Sequence, residues 1–582
     1  MSISENPIQG KPGRLSRRTF LGLTGASAAV LMASGPLGNL QAQTLEQGSP
    51  SAAAGYGPLV PKPPTGPSAD PTNILALPAE FNYQVIDRQG LPQRSNGTPG
   101  SEITPGIFDA MGAFPDAGGP QNSAGETTTG ETTAGDTNSP GGRTILIRNH
   151  ENRERPGEIK VVTGPAFEYD ETTLGGCTKL VVERRNTGER DPATDQQLYE
   201  YEVVDKFNIL GGTSTNCAGG EAPFKKWITC EEVVKGPLGT TSSTFAPKKH
   251  GYNFEVDAMS DGPVEAVPIL AAGRFVHEAT TFRAGILYQT EDRRIQTDPV
   301  TATTPQAVGQ IGACLYRYTP DQLVGQSGNL AETTGPLEAL AVKGSPRMNM
   351  DEVVTPGATF EVEWVPVPEP DHEDDTDNRR DRAPGFTPTR IQAIDNGAAF
   401  FDRQEGIWAS SHGAGFKIYF DCTEGGPQNL GQVWEYDPGR EVLTLIYIST
   451  DRNTLENPDN ITIVPQTQDI FLCEDSPGEQ FIRGVTQDGE IYNFAEALTN
   501  DTEFCGACFD PDGQTLYVNQ QGQRGTLPGG PNGGGEPDGR AVTYAIYGPF
   551  EKREGANNKN FGTGPAVNSD NGSGDSGNGS RR

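Results

Sequence analysis

Cys217, Glu232, Glu278, Asp292, Glu405, Asn460 and Asp475 are the residues whose types could do chemistry together. Each lies at the edge of a short apolar or aromatic run. The upstream runs read Asn216-Cys217-Ala218-Gly219-Gly220, Phe275-Val276-His277-Glu278-Ala279, Arg403-Gln404-Glu405-Gly406-Ile407, Pro458-Asp459-Asn460-Ile461 and Phe504-Cys505-Gly506-Ala507-Cys508. Other runs end in Glu232, Asp292 and Asp475. If these ends meet, several carboxylates and one thiol converge. Carboxylates so close cannot all stay ionised without cations. An oxygen-rich donor set suits a hard ion such as calcium, and one thiolate among the oxygens favours a transition metal, iron being one. With five histidines in the whole chain, a histidine-based zinc or iron site is hard to build. The same residues also permit a solvated acidic rim with Cys217 buried and inert.

The elements that must position them are strands, because short apolar runs broken by Gly, Pro and Asp dominate and no long window has helical periodicity. The runs repeat in pairs. WITCEE (227–232) precedes YNFEV (252–256), ILYQTED (286–292) precedes LYRYTP (315–320), and KIYFD (417–421) precedes VWEYDP (433–438). DIFLCED (469–475) precedes EIYNF (490–494), TLYVNQ (515–520) precedes VTYAIY (542–547), and TILIRNHE (144–151) precedes QLYEY (197–201). Six such units predict an all-β fold, a six-bladed β-propeller over 74–550, with FNYQVID (81–87) closing the ring. The upstream runs then line the channel, and their equivalent positions face one another.

Composition narrows the function. The 582 residues carry 77 acidic and 45 basic side chains, a formal charge of −32, which argues against nucleic acid and for metal cations as ligands. The 74 glycines and 47 prolines make about a fifth of the chain, against roughly 12% on average, which excludes a mainly helical protein. No internal apolar run is long enough for a membrane span. Arg17 and Arg18 before Phe20 and Leu21, then a weakly apolar stretch, read as a twin-arginine export signal over 1–43. That predicts the twin-arginine translocase as a partner and a periplasmic or extracellular location. Residues 44–73 read as a linker, 116–142 as a disordered low-complexity loop, 366–385 as a charged insertion and 551–582 as a disordered tail. The eight cysteines permit disulfides after export; the lone Cys505-x-x-Cys508 reads as a vicinal disulfide or two buried thiols. Ser410-Ser411-His412-Gly413 reads as a loop rather than a nucleophile motif.

The combination of motifs resembles the PhoX-type alkaline phosphatases. It comprises Asn216–Gly220 with Trp227–Glu232, Asn149-His150-Glu151, Gly273–Glu278, Thr290-Glu291-Asp292, Arg403-x-Glu405-Gly406, Pro458-Asp459-Asn460, Cys473-Glu474-Asp475, Phe509–Gly513 and Ile546–Pro549, in family order over about 74–550. The resemblance implies a six-bladed propeller with iron (Fe3+) and calcium clustered at one end of the channel. It implies an exported, monomeric enzyme that hydrolyses phosphomonoesters by metal-assisted attack. Carried across, Cys217, Glu232, Glu278, Glu405 and Asp475 match the metal-binding cysteine and acids. Arg403 matches an arginine near the substrate phosphate, and Glu151 and Asp292 are assigned to calcium. Where the family usually has Pro-Trp-Gly-Thr-Trp, this chain has Pro223-Phe224-Lys225-Lys226-Trp227, which sets lysines near the mouth and bears on substrate preference. The rival readings are a calcium-dependent propeller lactonase or esterase, and a propeller that binds partners without catalysis.

Overall fold

A computed structural model describes residues 54–66, 73–95, 97–116, 142–297, 309–321, 329–375, 385–412, 415–522 and 540–553. The export signal, most of the linker, residues 117–141 of the low-complexity loop and the tail from 554 lie outside these. Among the described residues no helix is long and apolar enough to cross a membrane.

The strands form six antiparallel blades. Their innermost strands are Phe108–Pro115, Asn216–Ala222, His277–Arg283, Gln404–His412, Pro458–Ile463 and Phe504–Phe509 for blades 1 to 6. Each packs against the next and the sixth packs against the first, so the ring is closed. Second strands follow: Arg143–His150, Lys226–Glu231, Ile286–Glu291, Gly415–Cys422, Ile470–Glu474 and Thr515–Gln520. Second strands are buried in all but at most their first residue, except Gly415–Cys422, whose first three residues are not, because a blade is covered on both faces by its neighbours. That explains their continuous apolar runs.

Every paired unit predicted from the sequence forms, but two pairs are not adjacent. Phe481–Val485 lies between Ile470–Glu474 and Ile491–Ala497, and the long strand Gly175–Arg190 lies between Arg143–His150 and Gln197–Thr213. Thr359–Val367 pairs with Leu337–Val342 of blade 3 and Val442–Ile448 of blade 4, joining two outer edges into one sheet. Inside the segment read as a linker, Leu59–Lys62 pairs with Leu75–Pro78, which extends blade 5. Tyr56 packs edge-on against Phe81, Phe494 and Phe550, so apolar burial orders this stretch despite its prolines. The described part of the charged insertion is also packed: Arg274 donates to the carbonyls of His372 (3.0 Å) and Asp374 (3.2 Å) and pairs with buried Asp375. Ser410–His412 ends the inner strand of blade 4 rather than forming a loop, since it pairs with Gly415–Lys417.

The closing strand is Asn82–Arg88, which completes blade 6 by pairing with Val542–Tyr547. Its Asp87 is fully enclosed and meets two cations of blade 1, Arg148 Nη2 at 2.9 Å and Lys206 Nζ at 2.6 Å. Burial alone would raise the Asp87 carboxyl; Lys206 and then Arg148 outweigh it and hold the group below its ordinary value. A folded-state value below the unfolded one gives stability that is present above about pH 4 and lost as pH falls through the folded value. Asp87→Ala should destabilise the protein by about 3–5 kcal/mol, because two buried cations lose their counter-charge. Thermal unfolding at pH 7 checks this, and a loss below about 1 kcal/mol would show the clasp to be dispensable.

Candidate metal centre

At one end of the channel all six blades repeat a local device. The residue following each second strand donates its N–H to a carbonyl just before the inner strand: Glu151 to Ile107, Glu232 to Thr215, Asp292 to Val276, Thr423 to Arg403, Asp475 to Asn457 and Gln521 to Glu503, at 2.9–3.2 Å. These bonds fix equivalent positions. Two residues past the acceptors stand Asp109, Cys217, Glu278, Glu405, Asp459 and Cys505. In five blades the ladder skips at that residue, after Phe108, Asn216, His277, Gln404 and Pro458; in blade 6 the skip falls one residue later. Such a bulge re-aims a side chain that strict alternation would send into the blade. Ile107, Thr215, Arg403 and Asn457 hold φ of 51–52°, a conformation disfavoured for non-glycine residues and above all for β-branched ones. The backbone is therefore strained at the same place in four blades.

The inner tier is Asp109, Cys217, Glu278, Glu405, Asp459 and Cys505, and the outer tier is Glu151, Glu232, Asp292, Thr423, Asp475 and Gln521. Three groups of donor atoms lie within 4.8 Å of one another: Glu151, Cys217 and Glu232; Glu278, Glu405 and Asp459; Asp109, Glu503 and Cys505. The sequence-predicted Cys217, Glu232, Glu278, Glu405, Glu151 and Asp292 thus stand at one mouth. Asp475 is more exposed and bonds the Glu503 carboxyl. All eight cysteines are free thiols, Cys505 and Cys508 included.

Charge makes this ring unusual. Burial pushes Asp109 up to about 7, against hydrogen bonds from Gln521, the Ala110 N–H and the Cys217 thiol. It also pushes Glu232 up to about 7, with Arg153 opposing and Asp292 adding. Glu278, Glu405, Asp459 and Glu503 are held far above the carboxylate range by burial first and by neighbouring acids next. Both Glu278 oxygens are buried and accept no hydrogen bond. A buried carboxylate without a partner is strongly disfavoured unless a cation meets it, and a mixed carboxylate–thiol set is what hard ions and iron take. The residues present fit the metals that the sequence suggests.

Two guanidinium groups reach the ring. Arg403 forks onto Asp292 through Nε and Nη2, both at 2.8 Å, and Nη2 lies 2.9 Å from Glu405. It holds Asp292 below its ordinary value although burial pushes the other way. Arg403 precedes its strand at φ 52°, so its reach to Glu405 follows from the turn rather than from strand alternation. Arg153 pairs with Glu151 and, at 2.7 Å, with Glu232.

Asp109, Asp459, Glu503, Cys505 and Arg153 were not among the residues expected here. A usable signal existed: each inner-tier donor is followed by a small residue, as in Asp109-Ala110, Cys217-Ala218, Glu278-Ala279, Glu405-Gly406, Asp459-Asn460 and Cys505-Gly506. The second bulge residue abuts the next blade; a Cβ on Gly406 would sit 2.7 Å from the Asp459 carbonyl oxygen. Asn460, expected at the mouth, is that second residue, and its Oδ1 accepts the Gly506 N–H at 2.6 Å. The lysines of the departing motif are not near the mouth. Ala222 pairs with Lys226 at the end of the hairpin opposite Asn216 and Glu231, roughly 20 Å away at strand rise.

A closed propeller with a ring of metal-type donors at one channel end defines the class: a β-propeller with a candidate metal centre at its mouth. The family model described as alkaline phosphatase PhoX matches residues 54–523, so the chain belongs to the PhoX alkaline phosphatase family. It is accordingly an enzyme, a phosphatase. Among solved structures it is similar to Pseudomonas fluorescens PhoX in complex with vanadate, a transition-state analogue, with a TM-score of 0.56, 16% identity and coverage of 85% of this chain and 99% of that chain. At that identity the likeness speaks for the fold. A WD40 domain of Toxoplasma gondii coronin follows with a TM-score of 0.25, 8% identity and coverage of 70% and 88%. No curated protein matches.

The raised carboxyls make the metal-free protein sensitive to base. Asp109 and Glu232 bind protons more tightly folded than unfolded, so the stability these two groups contribute is fully present below about pH 4 and is lost as pH rises through about 7. The melting temperature of the chelated protein should therefore fall between pH 5 and 8, and added calcium should flatten the slope. A chelated protein whose melting temperature is level or rises over that range would contradict the charge picture.

Proposed function

We propose that this phosphatase is an exported enzyme that hydrolyses phosphomonoesters at the channel mouth with iron and calcium held by the two tiers. The observation that carries the reading is Glu278, whose enclosed carboxylate has no hydrogen-bond partner and stands within 4.8 Å of Glu405 and Asp459. Cys217 with Glu151 and Glu232 would hold iron through the thiolate. Glu278, Glu405 and Asp459, all oxygen donors, would hold calcium, with Asp292 and Asp475 at the outer tier. When bound, such cations neutralise phosphate charge and supply Lewis acidity, which a chain of formal charge −32 needs to accept an anionic substrate.

The side chains do the rest. Arg403 is a planar fork already organised by Asp292 and Glu405, and it is 24% exposed, so its open edge meets solvent where a phosphate oxygen would arrive. Arg153, 34% exposed, offers a second such group across the mouth. Asp292 orients Arg403, and Glu151 and Glu232 orient Arg153. Cleavage of the monoester leaves phosphate between these groups. The enzyme acts as a monomer after passage through the twin-arginine translocase.

Elemental analysis with a nitrophenyl phosphate assay tests the reading. Arg403→Ala should retain the metals but lose turnover by thirtyfold or more, about 2–5 kcal/mol of phosphate stabilisation. Cys217→Ser should lose iron while staying folded. A wild-type protein with calcium alone that cleaves neutral esters or lactones would replace this reading, and one with no metal and no hydrolysis would point to a binding propeller. For export, lysine at Arg17 and Arg18 should keep the protein in the cytoplasmic fraction; unchanged fractionation would reject the translocase.

A further inference from the structure

The bulges that aim the donors leave carbonyls outside the blade's own ladder, and buried carbonyls need donors. The second strand of each blade carries a fully buried side chain two residues before its outer-tier residue: Asn149, Cys230, Thr290, Asp421 and Cys473, which lie opposite the bulges of blades 1 to 5, and Asn519, which pairs with Cys505 in blade 6. Three of them donate across the blade boundary to the backbone of the next blade's donor residue. Asn149 Nδ2 donates to the carbonyls of Cys217 (2.9 Å) and Ala218 (2.8 Å). Thr290 Oγ1 donates to the Glu405 carbonyl at 2.5 Å, and Asn519 Nδ2 to the Asp109 carbonyl at 2.6 Å.

Asn149 is the most tightly held of the three. Its Oδ1 accepts the Trp227 indole N–H at 2.9 Å and the Cys177 thiol at 3.1 Å. Two N–H donors and two acceptor sites are all a carboxamide has, so every one is used and the amide cannot flip. Both of its donors are spent on the two bulge carbonyls that follow from the Cys217 and Ala218 backbone. We propose that Asn149 is a positioning residue for the Cys217 thiolate: from blade 1 it locks the bulge of blade 2 and so fixes where the sulfur points. Thr290 for Glu405 and Asn519 for Asp109 are the same device at two other boundaries. At these three boundaries the donor is set by the neighbouring blade as well as by its own bulge. This rests on the reading that Cys217 binds a metal.

Asn149→Asp is the isosteric test, since a carboxylate has no N–H and faces the two carbonyls with its own oxygens. Gln84→Glu is the control. Gln84 also crosses a blade boundary while buried, donating to the Tyr201 carbonyl at 2.7 Å and accepting the Tyr201 N–H at 3.0 Å, but on outer strands. The holoenzymes are compared for melting temperature, for the rate of metal loss to a chelator and for metal–sulfur ligation by X-ray absorption. Both variants should melt earlier. Asn149→Asp alone should release metal at least tenfold faster and show weakened sulfur ligation. Wild-type release and ligation in Asn149→Asp overturn the proposal, as does equal acceleration in Gln84→Glu, which would reduce it to general stability. If Asn149→Asp does not fold, Trp227→Phe decides: it removes the indole that orients the amide, several-fold faster release supports the proposal and unchanged release overturns it. Wild-type protein that contains no metal would overturn the metal reading and this proposal together, whereas loaded wild type matched by Asn149→Asp overturns the proposal alone.

Discussion

Mutual repulsion among buried carboxylates is the constraint on which this molecule depends. Asp109, Glu278, Glu405 and Asp459 come from four blades, and each is raised by burial and by other acids of the cluster. No packing advantage offsets that: an enclosed acid costs free energy whether it keeps its charge or takes a proton. Such a ring persists only where its cost is balanced by cations or where the scaffold around it is stable enough to bear it. Both conditions are visible. Arg153 and Arg403 supply two positive charges at the rim, and blades 5 and 6 are joined by an apolar seam from Phe471 and Phe494 through Phe81 to Phe550.

The scaffold bears the strain by repetition. A propeller spreads one problem, how to point a donor down the channel, over six copies of one solution. In five blades a register skip at the donor turns the side chain, in four a left-handed residue two positions earlier bends the chain into it, and a small residue after the donor lets the next blade approach, as Gly406 does. Closure of the ring matters for the same reason. If blade 6 were free to drift from blade 1, Asp109 would part from Glu503 and Cys505, and the group that Asn519 ties together would open. The buried Asp87–Arg148–Lys206 triad sits at that seam. It is enclosed and hydrogen-bonded, so its value lies in fixing register as much as in raw stability.

Phosphatase chemistry then asks little more of the protein than position. A phosphate ester carries its own charge, and the groups that meet it must already be in place. Arg403 is held by three acids before any substrate arrives, with Glu424 3.7 Å from Nη1. Of the acids that organise the arginines, Asp292, Glu151 and Glu232 are outer-tier residues and Glu405 is an inner-tier one. A cation taken up by one of these acids would loosen its hold on a guanidinium.

Much of this was legible in the chain. Runs such as ILYQTED and DIFLCED carry both strand propensity and a terminal acid, and six of them at intervals specify a propeller without reference to any contact. Cys217, Glu278 and Glu405 were readable because each sits in a short run just upstream of a strand pair and within a motif that resembles the family's. Asp109 was not, because the low-complexity segment separates its strand from Arg143–His150, so the paired signal is broken. Asp459 was displaced by one because alternation has a period of two and a bulge breaks it; only the paired backbone says which of Asp459 and Asn460 is turned inward. Arg153 and Glu503 lie outside the strands, where sequence periodicity has nothing to report. The sequence by itself determined the blade count, the closing strand and the chemical types of the donors, since these follow from local pattern. Tertiary structure alone decided which donors share a site and that Lys225 and Lys226 lie far from it. The physical reason is that those facts depend on ring closure and on bonds such as Asn149 to Cys217, which join blades distant in the chain.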